Sequence, residues 1–67
     1  MSEALAKNLK KYLDNQGIGM VTFAQRAGVG SATIHEIVSG KASPTLKTLE
    51  KIATAMGVTV NDLLKEE

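Results

Sequence analysis

The stretch Phe23 to Val38, FAQRAGVGSATIHEIV, decides the fold. Two short amphipathic segments meet in it at Gly28-Val29-Gly30. In the first, Phe23, Ala24 and Ala27 recur at helical spacing and share one face. In the second, Ile34, Ile37 and Val38 do the same. Ala24 is small, so the later helix can cross close over the earlier one. Gly28 opens a tight turn that needs a positive φ, which glycine takes without steric cost. Val29 plugs the angle between the helices from inside. This spacing requires two helices at a steep angle, three or four residues apart.

Outward from this pair, every segment reads as helix. Leu5, Leu9, Tyr12 and Leu13 form one apolar stripe of a first helix. Ser2 is its expected N-cap, and Gly17 and Gly19 are expected to end it. The second helix runs from about Met20 to Ala27, where Gly28 stops it, and the third from about Ser31 to Ser39, where Gly40 stops it. A fourth begins after Pro44 with Thr45 as cap. Leu46, Leu49, Ile52, Ala53 and Met56 form its expected buried stripe, and Gly57 closes it. Thr59 and Asp62, three residues apart, match a capping box for a fifth helix that buries Val60, Leu63 and Leu64. The expected fold is all-α, a compact five-helix bundle without strands. Residues 1–67 make one domain, with no room for a second. Leu9, Phe23, Ala24, Ile34, Ile37, Leu49 and Ile52 are expected to share its core.

A chain of 67 residues buries only about 60% of its unfolded surface. With no cysteine it has neither a disulfide nor a thiolate zinc site to staple it. No run approaches the ~20 apolar residues of a bilayer span. Lys7, Lys10 and Lys11 interrupt the only stretch that could serve as a signal peptide. A soluble, intracellular chain is expected. The net charge is +1, but its distribution is uneven. Arg26, Lys41 and Lys47 against Glu36 leave residues 20–47 mildly basic, whereas Asp62, Glu66 and Glu67 outweigh Lys65 in the tail. Ordinary solvated surface explains this pattern as well as a nucleic-acid partner does.

The run from Gly17 to Leu63 resembles the Cro/Xre-type helix-turn-helix domain of phage repressors, the lambda-repressor-like fold. The matching residues are Phe23-Ala24, Gly28-Val29, Thr33-Ile34, Ile37, Gly40-Lys41, Pro44, Leu46, Leu49, Ile52-Ala53, Gly57-Val58 and Asp62-Leu63. The resemblance implies a sequence-specific DNA-binding transcriptional regulator, a repressor, whose third helix enters the major groove of double-stranded DNA. Helical geometry independently turns Ala32, Glu36 and Ser39 away from the core, with Thr33 and His35 on the flanks and Ser31 at the leading end. Ser31, Ala32, Thr33, His35 and Glu36 are therefore the candidate base-reading residues. Ala32 and the Thr33 methyl suit a thymine methyl, Glu36 a cytosine amino group, and His35 or Ser31 a base or phosphate. Lys41, Ser43 and Lys47 surround the loop before the fourth helix, whose N-terminal amides suit an anion. With Met20, Gly30 and Ser39 they complete the phosphate candidates.

The sequence departs from the family's pattern in places. Gly19-Met20 stands where the family often has Ser-Gln, and Met20 cannot make the hydrogen bond of that Gln. Leu13 and Val38 stand where the family often pairs Arg with Glu; an apolar pair can replace a buried ion pair without loss of stability. The third helix carries no Arg, Lys, Gln or Asn.

No catalytic, metal or cofactor site is expected, nor a small-molecule substrate. His35 is the only histidine and lacks partners at metal-ligand spacing. Ser31, Ser39 and Ser43 have no nucleophile framework. Gly28-Val29-Gly30 lacks the strand and the Gly-Lys-Ser/Thr of a phosphate loop. Met20 and Met56 suit core and seam filling. A weak homodimer through Val58, Val60 and Leu64 is expected, because a helix so near the end of a small core cannot bury all three. The chain is either a minimal regulator or the DNA-binding piece of a longer one. The competing reading is a helix-turn-helix module for protein contact, such as an antitoxin-type partner.

Overall fold

Glycines set where the first four helices stop. In a computed structural model that describes residues 2–66, the helices are α1 (Ser2–Gln16), α2 (Met20–Ala27), α3 (Ser31–Val38), α4 (Leu46–Met56) and α5 (Val60–Leu63). No strand occurs among the described residues. Gly28, which ends α2, takes φ 74° and ψ 32°. There the Val29 N–H reaches back to the Ala24 carbonyl at 3.0 Å, and the Gly28 N–H reaches that of Gln25 at 3.3 Å. This pair of bonds is the Schellman closure, which satisfies carbonyls that a helix end otherwise leaves bare. It recurs at Gly57, where Val58 donates to Ala53 at 3.0 Å.

Two expected boundaries shift. Gly19 does not end α1; it is the N-cap of α2, in extended conformation at φ −88°. Gly17, with φ 66°, closes α1 by itself. Ser39 is the C-cap of α3 and not its last turn. The cap expected at Ser2 rests on a side chain outside the described ones.

The core unites all five helices. Leu5, Leu9 and Leu13 of α1 meet Phe23 and Ala24 of α2, Ile34 and Ile37 of α3, Leu49, Ile52 and Ala53 of α4, and Leu63 of α5. Each large side chain fully withdrawn from water contributes about 1.5–3 kcal/mol. Phe23, Leu5, Leu9, Ile34, Ile37, Ile52 and Leu63 are in that state. The Tyr12 ring stands edge-on to Phe23, with centroids 5.8 Å apart at 66°. No polar or charged side chain is buried among the described residues. Leu13 lies in the core and Val38 packs half-buried against it, so those two positions form part of an apolar interior.

Leu46 corrects the expected α4 stripe: it is 63% exposed. It shares an angular face with Leu49, but it is the first residue of the helix, and helical side chains lean toward the N-terminus.

Four-residue α5 is far too short to stand alone. It is held by the Thr59–Asp62 capping box at its start and by Asn8 at its end. The Asn8 amide donates to the carbonyls of both Leu63 and Lys65, each at 2.8 Å. Its folded position thus depends on α1, more than fifty residues away.

Candidate nucleic-acid interface

The turn at Gly28 brings the starts of α2 and α3 to one surface. Gly19 caps α2 and Gly30 caps α3, and neither glycine has a side chain to bond the helix amides. The first turn of a helix leaves its N–H groups without intrahelical partners. At α2 these belong to Met20, Val21 and Thr22, and at α3 to Ser31, Ala32 and Thr33. An amide cluster at the positive end of a helix dipole attracts an anion.

Between the two helix starts lies an open groove lined by Gly19, Met20, Val21, Thr22, Ser31, Ala32 and His35. It joins Met20, Ser31, Ala32 and His35 from the sequence-based set. Gly30 is next to them as the α3 cap. Glu36 lies on the exposed side of α3, while Thr33 is half-buried. A Cβ on Gly30 would lie 3.8 Å from the Thr33 hydroxyl, in ordinary contact.

Ser39 is at the far end of α3, about 12 Å along the axis from Ser31 at 1.5 Å per residue. Its hydroxyl donates to the Glu36 carbonyl at 2.9 Å. It borders a different, shallow groove with Lys7, Lys10 and Lys11 of α1. Lys41 and Ser43 are exposed on the connection to α4, and Lys47 is exposed in its first turn. At the start of α4 the Thr48 amide is already engaged, donating to the Thr45 hydroxyl at 3.2 Å.

The sequence reading passed over Val21, which is 60% exposed in the groove. The signal was present: two residues before Phe23 on a helix is the opposite face, so an apolar residue there points outward. Among the described residues no three His, Cys, Asp or Glu side chains come together as a metal site. No described helix is long and apolar enough to cross a membrane.

A helix-turn-helix family model matches residues 9–63. The HTH-type transcriptional regulator PrtR of Pseudomonas aeruginosa is 41% identical over 56 residues, which cover 84% of this chain and 22% of PrtR. The HTH-type transcriptional regulator DdrOP3 of Deinococcus deserti is 28% identical over 61 residues, or 91% of this chain and 47% of DdrOP3. The chain therefore spans less than half the length of either. A hypothetical transcription factor from Neisseria, NHTF, superposes with a TM-score of 0.89 at 25% identity, covering 97% of this chain and 75% of its own. An HTH_3-family transcriptional regulator from Vibrio cholerae gives a TM-score of 0.83 at 31% identity, over 92% of this chain and 35% of its own. The chain belongs to the helix-turn-helix family, whose model spans most of its length.

Proposed function

We propose that this domain reads double-stranded DNA with α3 in the major groove and serves a transcriptional regulator of the repressor type. The observation that carries this reading is the pair of glycine-capped helix starts, Gly19 and Gly30, on either side of one open groove. Amides there suit two phosphates, while Ser31, Ala32, His35 and Glu36 present short side chains to base edges. Lys41 and Lys47 add charge to the backbone contacts.

One domain makes few base contacts, each worth about 1–3 kcal/mol. Useful specificity calls for two copies on half-sites about 34 Å apart. The seam is the α5 region, where Val58 is 36% exposed and Val60 and Leu64 are only half-buried. A regulator of this kind works in the cytoplasm of a prokaryotic cell.

Selection of bound sequences from a random duplex pool at two salt concentrations tests the reading. A DNA reader enriches a near-palindrome and loses affinity steeply as salt rises. Lys41→Ala and Lys47→Ala each flatten the salt slope by up to about one unit without changing the selected sequence. No enrichment and no salt dependence would favour the protein-contact role instead, which the lack of Arg, Lys, Gln and Asn in α3 also suits.

A further inference from the structure

Exposed positions of α2 are not all alike. Gln25 and Arg26 are long, straight-chain residues that favour helix and solvent. Val21 is β-branched, a weaker helix former, and it stands 60% exposed. Helix propensity gives no reason for it, and neither does the core. It shares the groove with Thr22, Ser31 and His35, and with two other apolar side chains, Met20 of the same turn and Ala32 of the facing helix, between two bare helix starts.

A lone apolar protein side chain would fit such a notch but would leave the amides on either side unused. Duplex DNA offers both chemistries at short spacing: phosphates for the amides, and one apolar group on the base edges of the major groove, the pyrimidine C5 methyl. We infer that Val21, with Met20 and Ala32, forms a pocket for the C5 methyl group of a pyrimidine in the major groove. This inference rests on the DNA reading proposed above. Thymine and 5-methylcytosine both carry that methyl. The pocket makes Val21 a specificity-determining residue and gives Met20 an apolar contact in place of a polar one.

The test uses the duplex enriched from a random pool by the wild-type protein, remade with deoxyuridine in place of thymine one symmetric pair at a time. At the pair that meets Val21, loss of the methyl weakens binding about fourfold per methyl, the effect of exposing one methyl-sized carbon. Val21→Thr keeps the side-chain shape but exchanges a methyl for a hydroxyl. It sits on the surface, so the variant folds, and it distinguishes thymine from deoxyuridine by a smaller factor than wild type does. With a C·G pair at that position, 5-methylcytosine binds about fourfold tighter than cytosine. Equal binding of the thymine and deoxyuridine duplexes at every position, or of the two cytosine forms, would overturn the pocket while leaving DNA reading intact. A pool that yields no enriched sequence would overturn the DNA reading, and the pocket with it.

Discussion

Two pairs of helices begin differently in this molecule. α4 and α5 start at Thr45 and Thr59, whose hydroxyls accept from the Thr48 and Asp62 amides at 3.2 and 3.0 Å. At α5 the Asp62 carboxylate also accepts from the Thr59 amide at 3.2 Å. α2 and α3 start at Gly19 and Gly30 with no side-chain cap. The backbone does not demand glycine at either place. Their φ values of −88° and −71° are open to any residue, and a Cβ would meet nothing at Gly19 and only ordinary contact at Gly30. A glycine cap costs only a few tenths of a kcal/mol against serine. The helices that complete the bundle thus bond amides of their own first turns, while the two that border the groove leave theirs without a side-chain cap at little cost in stability.

The largest test breaks the frame that holds the bare starts together. Ala24, almost fully buried, lies where α2 and α3 pack. Ala24→Leu overpacks that contact and costs about 1–3 kcal/mol, each kcal/mol worth roughly 4–8 °C in Tm. DNA affinity falls in parallel because the two helix starts move apart. A melting temperature equal to wild type in a thermal scan would show that the helices do not cross there.

A smaller loss is expected at the capped end. Thr59→Ala removes the α5 cap and costs about 1 kcal/mol, read as a lower denaturation midpoint. The same box responds to acid. Hydrogen bonding from the Thr59 backbone amide, then its hydroxyl, holds the Asp62 carboxyl below its usual range. A carboxylate depressed on folding stabilises at neutral pH, and that contribution disappears as pH falls through its folded value. Denaturant midpoints of wild type should therefore fall further on acidification than those of Asp62→Asn. Equal acid responses would remove the box from the stability of α5.

The smallest effect sharpens the contrast most directly. Gly19→Ser supplies the missing cap of α2 and raises stability by a few tenths of a kcal/mol, readable as a small upward shift of the denaturation midpoint. A lower midpoint would mean that this start is not a bare cap.

Most of the bundle was legible because its signals are local. Glycine stops, the Thr45 cap and the Thr59–Asp62 box depend on residues within a turn of one another, and the core stripes follow from helical period. What escaped needed knowledge of neighbours. Periodicity fixed the direction of Leu46 but not whether anything lies over the first turn of α4. Asn8 finds its partners at Leu63 and Lys65, which no local pattern announces. Within the candidate site, Ser31, Ala32 and His35 could be read from the face opposite Ile34 and Ile37. Their grouping with Met20 and Val21 required the crossing angle of α2 and α3. Ser39, a phosphate candidate, lies at the other end of α3 from Met20 and Gly30; the face of a helix does not tell position along it.

Gly30→Asp separates stability from binding at the site that matters most. The carboxylate caps α3, complements the helix dipole and raises stability by about 0.3–1 kcal/mol. It also occupies the amides and places a negative charge where a phosphate would dock. A charge-assisted hydrogen bond is worth about 1.5–3 kcal/mol, so losing one weakens binding about tenfold or more. The decisive measurement is an anisotropy titration of a fluorescent duplex with wild type and Gly30→Asp, each melted under the same conditions. The account predicts a variant that melts at or above wild type and binds DNA about tenfold more weakly; a variant that binds as tightly as wild type would contradict it.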